Sequence, residues 1–139
     1  MASRSSVKSV SAEFIKFSAI GTLGFLVDAT ILHVMVTAVG LGLYVSRLIS
    51  YLAAATTTWF LNRHFTFHGG ANASARRQWS HFVLVNGLGG GINYGVYAAL
   101  VASSDVFAAF PVGAVAVGSV AGLLFNFTAS RRFVFRCTS

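Results

Sequence analysis

Asp28 has the chemically most unusual surroundings of any residue in this chain. It lies in the apolar stretch 14–39, which carries no other charge after Lys16. A carboxylate in hydrocarbon has neither water nor a counter-ion, so such residues usually face a bundle interior and mark a functional path. Three states are open to it: protonated, paired with a cation or hydrogen-bond donors, or bound to the polar head of a substrate. A structural alternative is a hydrogen bond to Asn93 or Thr58.

A second set of residues could bind a phosphate-bearing lipid where two apolar segments end. Guanidinium forks match phosphate oxygens, and asparagine amides match sugar hydroxyls. We predict a substrate site that extends from Asp28 and Asn93 to this rim. The rim residues are Asn62, Arg63, Asn126, Arg131, Arg132 and Lys16. Arg47 is predicted near the opposite face, where a departing phosphate could meet it, and an ordinary interfacial anchor is the alternative for each cation.

Four apolar segments must position these residues, at about 14–38, 44–64, 80–102 and 109–130. The chain has 139 residues, is 55% hydrophobic and only 9% charged, which is too little charge for a soluble surface. Each segment is long enough to cross a bilayer, which takes about 20 residues. We therefore predict an all-α membrane protein with four transmembrane helices, a tail at 1–13 and another at 137–139.

The placement of the net charge of +7 argues against nucleic acid as a partner and predicts the topology. Nearly all cations lie at one end of the predicted helices: Arg4, Lys8, Lys16, Arg63, Arg76, Arg77, Arg131, Arg132 and Arg136. Cytoplasmic loops carry such an excess, so we expect both termini in the cytoplasm and contacts with anionic membrane lipids.

The segments also repeat. Phe17, Gly21, Gly24 and Asp28 are matched 65 positions later by Phe82, Asn86, Gly89 and Asn93. Ser46, Ser50, Ala54, Thr58 and Asn62 are matched 68 positions later by Ala114, Gly118, Gly122, Asn126 and Ser130. This predicts two parallel-repeat helical hairpins related by an axis along the membrane normal. Small-residue ridges such as 87, 91 and 95 predict close helix packing, within one copy or in a homodimer.

Signs of catalysis are missing from the sequence. It has no phosphate-binding loop, no metal-ligand spacing and no nucleophile beside a base, and Cys137 is the single cysteine. We expect no enzyme activity, no cofactor and no metal.

The residues that carry these patterns resemble the GtrA-like family. The run 60–67, Phe-Leu-Asn-Arg-His-Phe-Thr-Phe, is similar to the family's Asn-Arg-x-aromatic-Thr-Phe element after its second span. Residues 126–135 resemble its shorter echo, with Ser130 where an asparagine is often repeated, and the resemblance covers about 13–136. The predicted GtrA-like domain is 14–136. It implies a small bacterial inner-membrane protein of cell-surface polysaccharide synthesis.

Three functions remain open at this point. The first is a flippase that moves polyprenyl-phosphate-linked sugars between leaflets, as the resemblance implies. The second is a non-transporting partner that recruits or stabilises a membrane glycosyltransferase. The third is a proton-coupled small multidrug exporter, although the arginine-rich rim disfavours cationic drugs.

Overall fold

The computed structural model describes residues 4–68 and 74–135, and the regular structure within them is helical. In chain order the elements are α1 (Arg4–Thr37), α2 (Leu43–Leu61), the π-helical turn π1 (Asn62–Thr66), α3 (Ala75–Ser103), the short α4 (Asp105–Ala109), α5 (Pro111–Ala129) and a second π-helical turn, π2 (Ser130–Val134). Arg136 and the predicted tail 137–139 with Cys137 lie outside the described residues.

The four long helices cover the four predicted apolar segments, with one difference at the amino end. Helix α1 begins at Arg4 rather than near residue 14, so the described part of the predicted tail continues the helix. Val10 and Phe14 pack against the aromatic core, which explains why the helix extends back beyond the apolar segment. Between the third and fourth apolar segments, the chain forms the short helix α4 at Asp105–Ala109.

Within the described parts of the chain, two helical stretches have the length and apolarity to cross a membrane, namely Ser6–Thr37 and Pro111–Val134, with mean hydropathies of 1.8 and 1.7. Helix α2 is not one of the two, but it turns polar side chains inward: Ser46, Ser50 and Thr58 are buried. Its exposed face carries Leu43, Tyr44, Val45, Leu48 and Ile49. An apolar exterior around a polar interior is the arrangement that a bilayer requires.

The helices pack as two hairpins, α1 with α2 and α3 with α5. Gly40, with a φ of 76°, allows the tight turn of the first hairpin, because glycine has no Cβ to clash there. In each hairpin a glycine allows the two helices to approach closely, and the two glycines are at equivalent positions of the repeat. A Cβ on Gly24 would overlap Thr58, and a Cβ on Gly89 would overlap the amide of Asn126. Both pairs follow the sequence offsets of 65 and 68.

An aromatic cluster of Phe17, Phe67, Phe82, Phe127 and Phe135 forms the core at the ends of α2 and α5. The rings of Phe67 and Phe135 stack at 4.7 Å, with an angle of 21° between their planes. Phe17 lies 6.1 Å from Phe67, and Phe82 lies 5.9 Å from Phe135, so the two hairpins contribute equivalent pairs.

The π-helical turns explain how both stacked rings reach the core. The Phe67 amide donates to the Asn62 carbonyl at 2.9 Å, and the Phe135 amide donates to the Ser130 carbonyl at 2.8 Å. These bonds span five residues, so each turn is wider than an α-helical one. The extra residue turns both phenylalanines inward, where they are almost completely buried.

Candidate functional site

A central cavity of about 280 Å³ lies between the two hairpins. All four long helices and π1 contribute to its lining. The lining residues are Phe17, Gly21, Gly24, Phe25, Asp28, Tyr51, Ala54, Ala55, Thr58, Asn62, Phe82, Asn86 and Asn126. Phe17 and Phe82 also belong to the aromatic cluster, which therefore closes one end of the cavity. The cavity brings together three of the predicted site residues: Asp28, Asn62 and Asn126.

Asp28 is paired with a cation, which decides among the states that the sequence left open. Its Oδ2 accepts a hydrogen bond from Nη1 of Arg47 at 2.6 Å. The carboxylate is 17% exposed and the guanidinium 58% exposed, so the cation lies on the outer side of the pair. The alternative bond of Asp28 to Asn93 or Thr58 is wrong, because the turn at 38–42 brings Arg47 alongside α1 instead. The other oxygen, Oδ1, is buried without a hydrogen-bond partner.

Asn62 and Asn126 each add a buried Oδ1 without a partner. Asn62 is 1% exposed and opens π1. Asn126 lies on α5, where the missing Cβ of Gly89 leaves room for its amide. The three orphaned oxygens of the cavity are all hydrogen-bond acceptors. A buried polar atom without a partner is costly, so this group points to a ligand or water that donates hydrogen bonds.

Three other polar side chains of the cavity lining donate hydrogen bonds to backbone carbonyls. Thr58 Oγ1 donates to the carbonyl of Ala54 at 3.0 Å, and the Tyr51 hydroxyl donates to that of Val83 at 2.7 Å. Asn86 Nδ2 donates to the carbonyl of Phe82 at 2.9 Å. These bonds lie within α2, between α2 and α3, and within α3. The donors of these three side chains are therefore engaged within the protein.

The predicted rim arginines Arg63 and Arg131 are engaged with the opposite hairpin. Arg63 Nη1 donates to Gln78 Oε1 at 2.7 Å, and its guanidinium lies 5.7 Å from the centre of the Trp59 ring. Arg131 Nε donates to Glu13 Oε2 at 2.6 Å. We call these two crosswise contacts the clamps. The clamps hold the hairpins together beside the aromatic cluster, so neither arginine is poised as an open phosphate fork.

Lys16 and Arg132 lie at the same end and are exposed. The Lys16 ammonium is 3.4 Å from the Phe65 carbonyl, and the Arg132 guanidinium lies 5.8 Å from the centre of the Phe133 ring. Both contacts are loose, so these cations remain accessible to an anion at the surface. They do not line the central cavity.

Asn93 is not part of the central cavity, although the sequence placed it beside Asp28. Its side chain packs against α5 at Gly118 and Gly122, and it lines a separate shallow groove with Gly90, Tyr94, Tyr97 and Val115. The structure therefore separates the two repeat-related positions, because each faces its own hairpin partner.

The sequence prediction missed Tyr51, Asn86 and the clamp partners Glu13 and Gln78. Asn86 already stood in the repeat stripe, next to Phe82. Glu13 and Gln78 are also 65 positions apart, so the repeat extended by one more turn would have found them. Among the described residues, no group of three side chains could hold a metal ion.

Comparison with known families tests the resemblance to the GtrA-like family that the sequence suggested. Residues 16–136 match the family model described as GtrA/DPMS, transmembrane domain. The chain belongs to this family. The match confirms the GtrA-like resemblance read from residues 60–67, and it covers nearly the whole predicted domain at 14–136. A search of curated proteins found no significant match.

Membership in the GtrA/DPMS transmembrane-domain family indicates a membrane protein in glycoconjugate synthesis. This agrees with the apolar exterior of α2 and with the two strongly apolar helical stretches. The central cavity is then the place where this fold could receive a polar headgroup.

Proposed function

We propose that this GtrA-like protein is a flippase for polyprenyl-phosphate-linked sugars in the bacterial inner membrane. In this proposal the four long helices all span the bilayer, as two parallel repeats with both termini in the cytoplasm. The central cavity carries the proposal. It lies between the repeats, and its mainly apolar lining includes residues with buried acceptors that have no partner. Substrate sites of repeat-built transporters lie at such an interface near the bilayer midplane.

The size of the cavity suits one sugar residue. By proportion with a 150 Å³ cavity that holds benzene, a volume of about 280 Å³ holds roughly 11 non-hydrogen atoms. That is close to one hexose ring with its hydroxyl groups. An oligosaccharide would need a larger space. We therefore propose a lipid that carries a single sugar, whose hydroxyls donate to Asp28, Asn62 and Asn126.

The closed end of the cavity supplies the gate that a flippase needs. The Phe67–Phe135 stack and the two clamps join the hairpins at the end where the cations gather. In the proposed topology this end faces the cytoplasm, so the structure corresponds to a state closed toward the inside. Rocking of one hairpin against the other would separate the rings and the clamps, and so open a path from the cytoplasmic leaflet.

The accessible cations at that end could gather the lipid before the gate opens. Lys16 and Arg132 are exposed and close to the clamps, and a lipid phosphate is attracted to such charges at the membrane surface. Arg63 and Arg131 would become available to phosphate only when the clamps break. Phosphate binding and gate opening are then linked, because an arginine released from Gln78 or Glu13 gains a new partner.

A leaflet-resolved flipping assay in liposomes tests the proposal, with a matched pair of glycine variants. Gly21 lines the cavity, Gly91 does not, and a Cβ at either position meets no atom within 4 Å. Gly21→Leu should fill the cavity and reduce the transport of a polyprenyl-phosphate hexose at least tenfold. Gly91→Leu should leave the rate within about twofold of wild type. A wild-type rate equal to that of protein-free liposomes would refute the flippase proposal.

A second candidate function is recruitment of a membrane glycosyltransferase. It is favoured by the exposed cations Lys16, Arg76, Arg77 and Arg132, which lie at one end of the bundle and could dock an acidic surface. Co-purification discriminates between the candidates. A recruiter should lose its transferase when Arg76 and Arg77 are changed to Ser, and it should not move lipid in liposomes that lack the enzyme.

A further inference from the structure

The charge and hydrogen-bonding character of the central cavity point to one class of headgroup. The orphaned buried atoms among its lining residues are the oxygens Asp28 Oδ1, Asn62 Oδ1 and Asn126 Oδ1. An ionised carboxylate can only accept hydrogen bonds, and an amide oxygen can only accept. A ligand that satisfies these oxygens must bring donors, such as hydroxyl groups, and the amide nitrogens of Asn62 and Asn126 can donate to the oxygens of the same hydroxyl groups.

Arg47 does not add a positive charge to the lining of the cavity. Its guanidinium contacts Oδ2 of Asp28, its side chain is 58% exposed, and Arg47 is not among the residues that line the cavity. The carboxylate of Asp28 therefore belongs to the cavity lining, whereas the guanidinium of Arg47 does not. The arginines of the clamps are also outside the lining, and both have partners.

We infer that Asp28 is a specificity determinant that excludes acidic sugars, so that the protein accepts an uncharged hexose and rejects the corresponding hexuronate. This rests on the proposed flippase function and names the headgroup of the same site. A hexuronate would place its carboxylate in a cavity whose described lining residues carry one charged side chain, that of Asp28. Like charges at close range in a poorly solvated site repel strongly, and the headgroup carboxylate would find no positive side chain in the lining.

Transport of two matched lipids by the wild-type protein tests the inference. The lipids are a short polyprenyl phosphate bearing a hexose and the same lipid bearing the hexuronate, each followed by leaflet-resolved flipping in liposomes. We expect the hexose lipid to move at least 30 times faster. Excess hexuronate lipid should leave hexose transport unchanged, whereas excess unlabelled hexose lipid should slow it. Equal rates for the two lipids would overturn the inference and leave the flippase proposal intact.

Two variants assign the selectivity to Asp28. Asp28→Asn removes the charge but keeps the shape, and it leaves Arg47 free to attract an acid, so the ratio of the two rates should fall below about 5. Asp105→Asn makes the same chemical change on an exposed residue of α4, outside the cavity, and should keep the wild-type ratio. A ratio that is unchanged in Asp28→Asn would overturn the assignment.

Binding measured without transport separates the two proposals. Native mass spectrometry of the purified wild-type protein should show the hexose lipid retained and the hexuronate lipid not retained. If the protein binds selectively but moves neither lipid, the inference stands and the flippase proposal fails. If it binds both lipids equally, the inference fails whatever the transport result. Because these measurements use the wild type, they decide the matter even if Asp28→Asn does not fold.

Discussion

The close approach of Gly24 to Thr58 gives a stability prediction that a second substitution, at position 58, can check. A Cβ on Gly24 would overlap Cγ2 of Thr58, the methyl carbon of that side chain. Alanine at an unhindered helical glycine stabilises by about 1 kcal/mol, whereas forcing a methyl group into a packed contact costs about 1–3 kcal/mol. We therefore expect Gly24→Ala to lower the free energy of unfolding by up to about 2 kcal/mol.

A second substitution removes only the methyl carbon of Thr58 that the new Cβ would overlap. Thr58→Ser deletes Cγ2 and keeps Oγ1, which donates to the Ala54 carbonyl. The double variant Gly24→Ala/Thr58→Ser should therefore recover the loss, with a coupling energy of about 1–3 kcal/mol in the double-mutant cycle. Gly21→Ala, one turn earlier on the same helix, meets no atom within 4 Å. It should be neutral or stabilise by up to about 1 kcal/mol.

Reversible unfolding in mixed detergent micelles, followed by the fluorescence of Trp59 and Trp79, measures these differences. Equal destabilisation by Gly21→Ala and Gly24→Ala would refute the reasoning, because it would mean that the loss of glycine itself matters and not the contact with Thr58. A double variant no more stable than Gly24→Ala would refute it as well.

Three further outcomes test the other contacts. Phe67→Ala empties the centre of the aromatic cluster and should cost about 3–5 kcal/mol of unfolding free energy, whereas Phe65→Ala, at a ring 60% exposed, should cost under about 1 kcal/mol in the same micelle assay. Glu13→Gln removes the charge from its clamp and should cost about 1 kcal/mol or less; added salt should weaken the wild type more than the variant. Arg47→Ala leaves the carboxylate of Asp28 without its cation and should cost about 1–3 kcal/mol, a loss that Asp28→Ala in the same chain should largely reverse.

The packing of the site could be predicted from sequence because it follows local periodicity. Gly24 and Gly89 stood in helical stripes of small and polar residues, and each does receive a side chain from the facing helix, Thr58 or Asn126. Likewise, the matching aromatic ends at 65–67 and 133–135 predicted equivalent positions for Phe67 and Phe135. A repeat in sequence imposes a repeat in contacts wherever the same backbone distance is required.

The partners of the charged side chains could not be predicted from local periodicity. They depend on how helices that are far apart in the sequence are aligned in the structure. Arg47 reaches Asp28 only because of the turn between α1 and α2, and the spacing of the two residues does not reveal their depth. Arg63 and Arg131 looked like open phosphate forks, since nothing nearby in sequence could pair with them. Their partners come from the start of the opposite hairpin's first helix.

The two hairpins share a fold but differ in chemistry, and the clearest difference in charge involves two pairs of positions. Asp28 corresponds to Asn93, and Arg47 corresponds to Val115, 68 positions later. Val115 lies in the same shallow groove as Asn93, so the second hairpin has two uncharged residues at the positions that correspond to the ion pair. An acid at 93 would have no cation beside it, and burying an unpaired carboxylate is prohibitive. The acid and its arginine therefore form one functional unit, present in one repeat only, and this asymmetry gives the central cavity a single charged side within a symmetric scaffold.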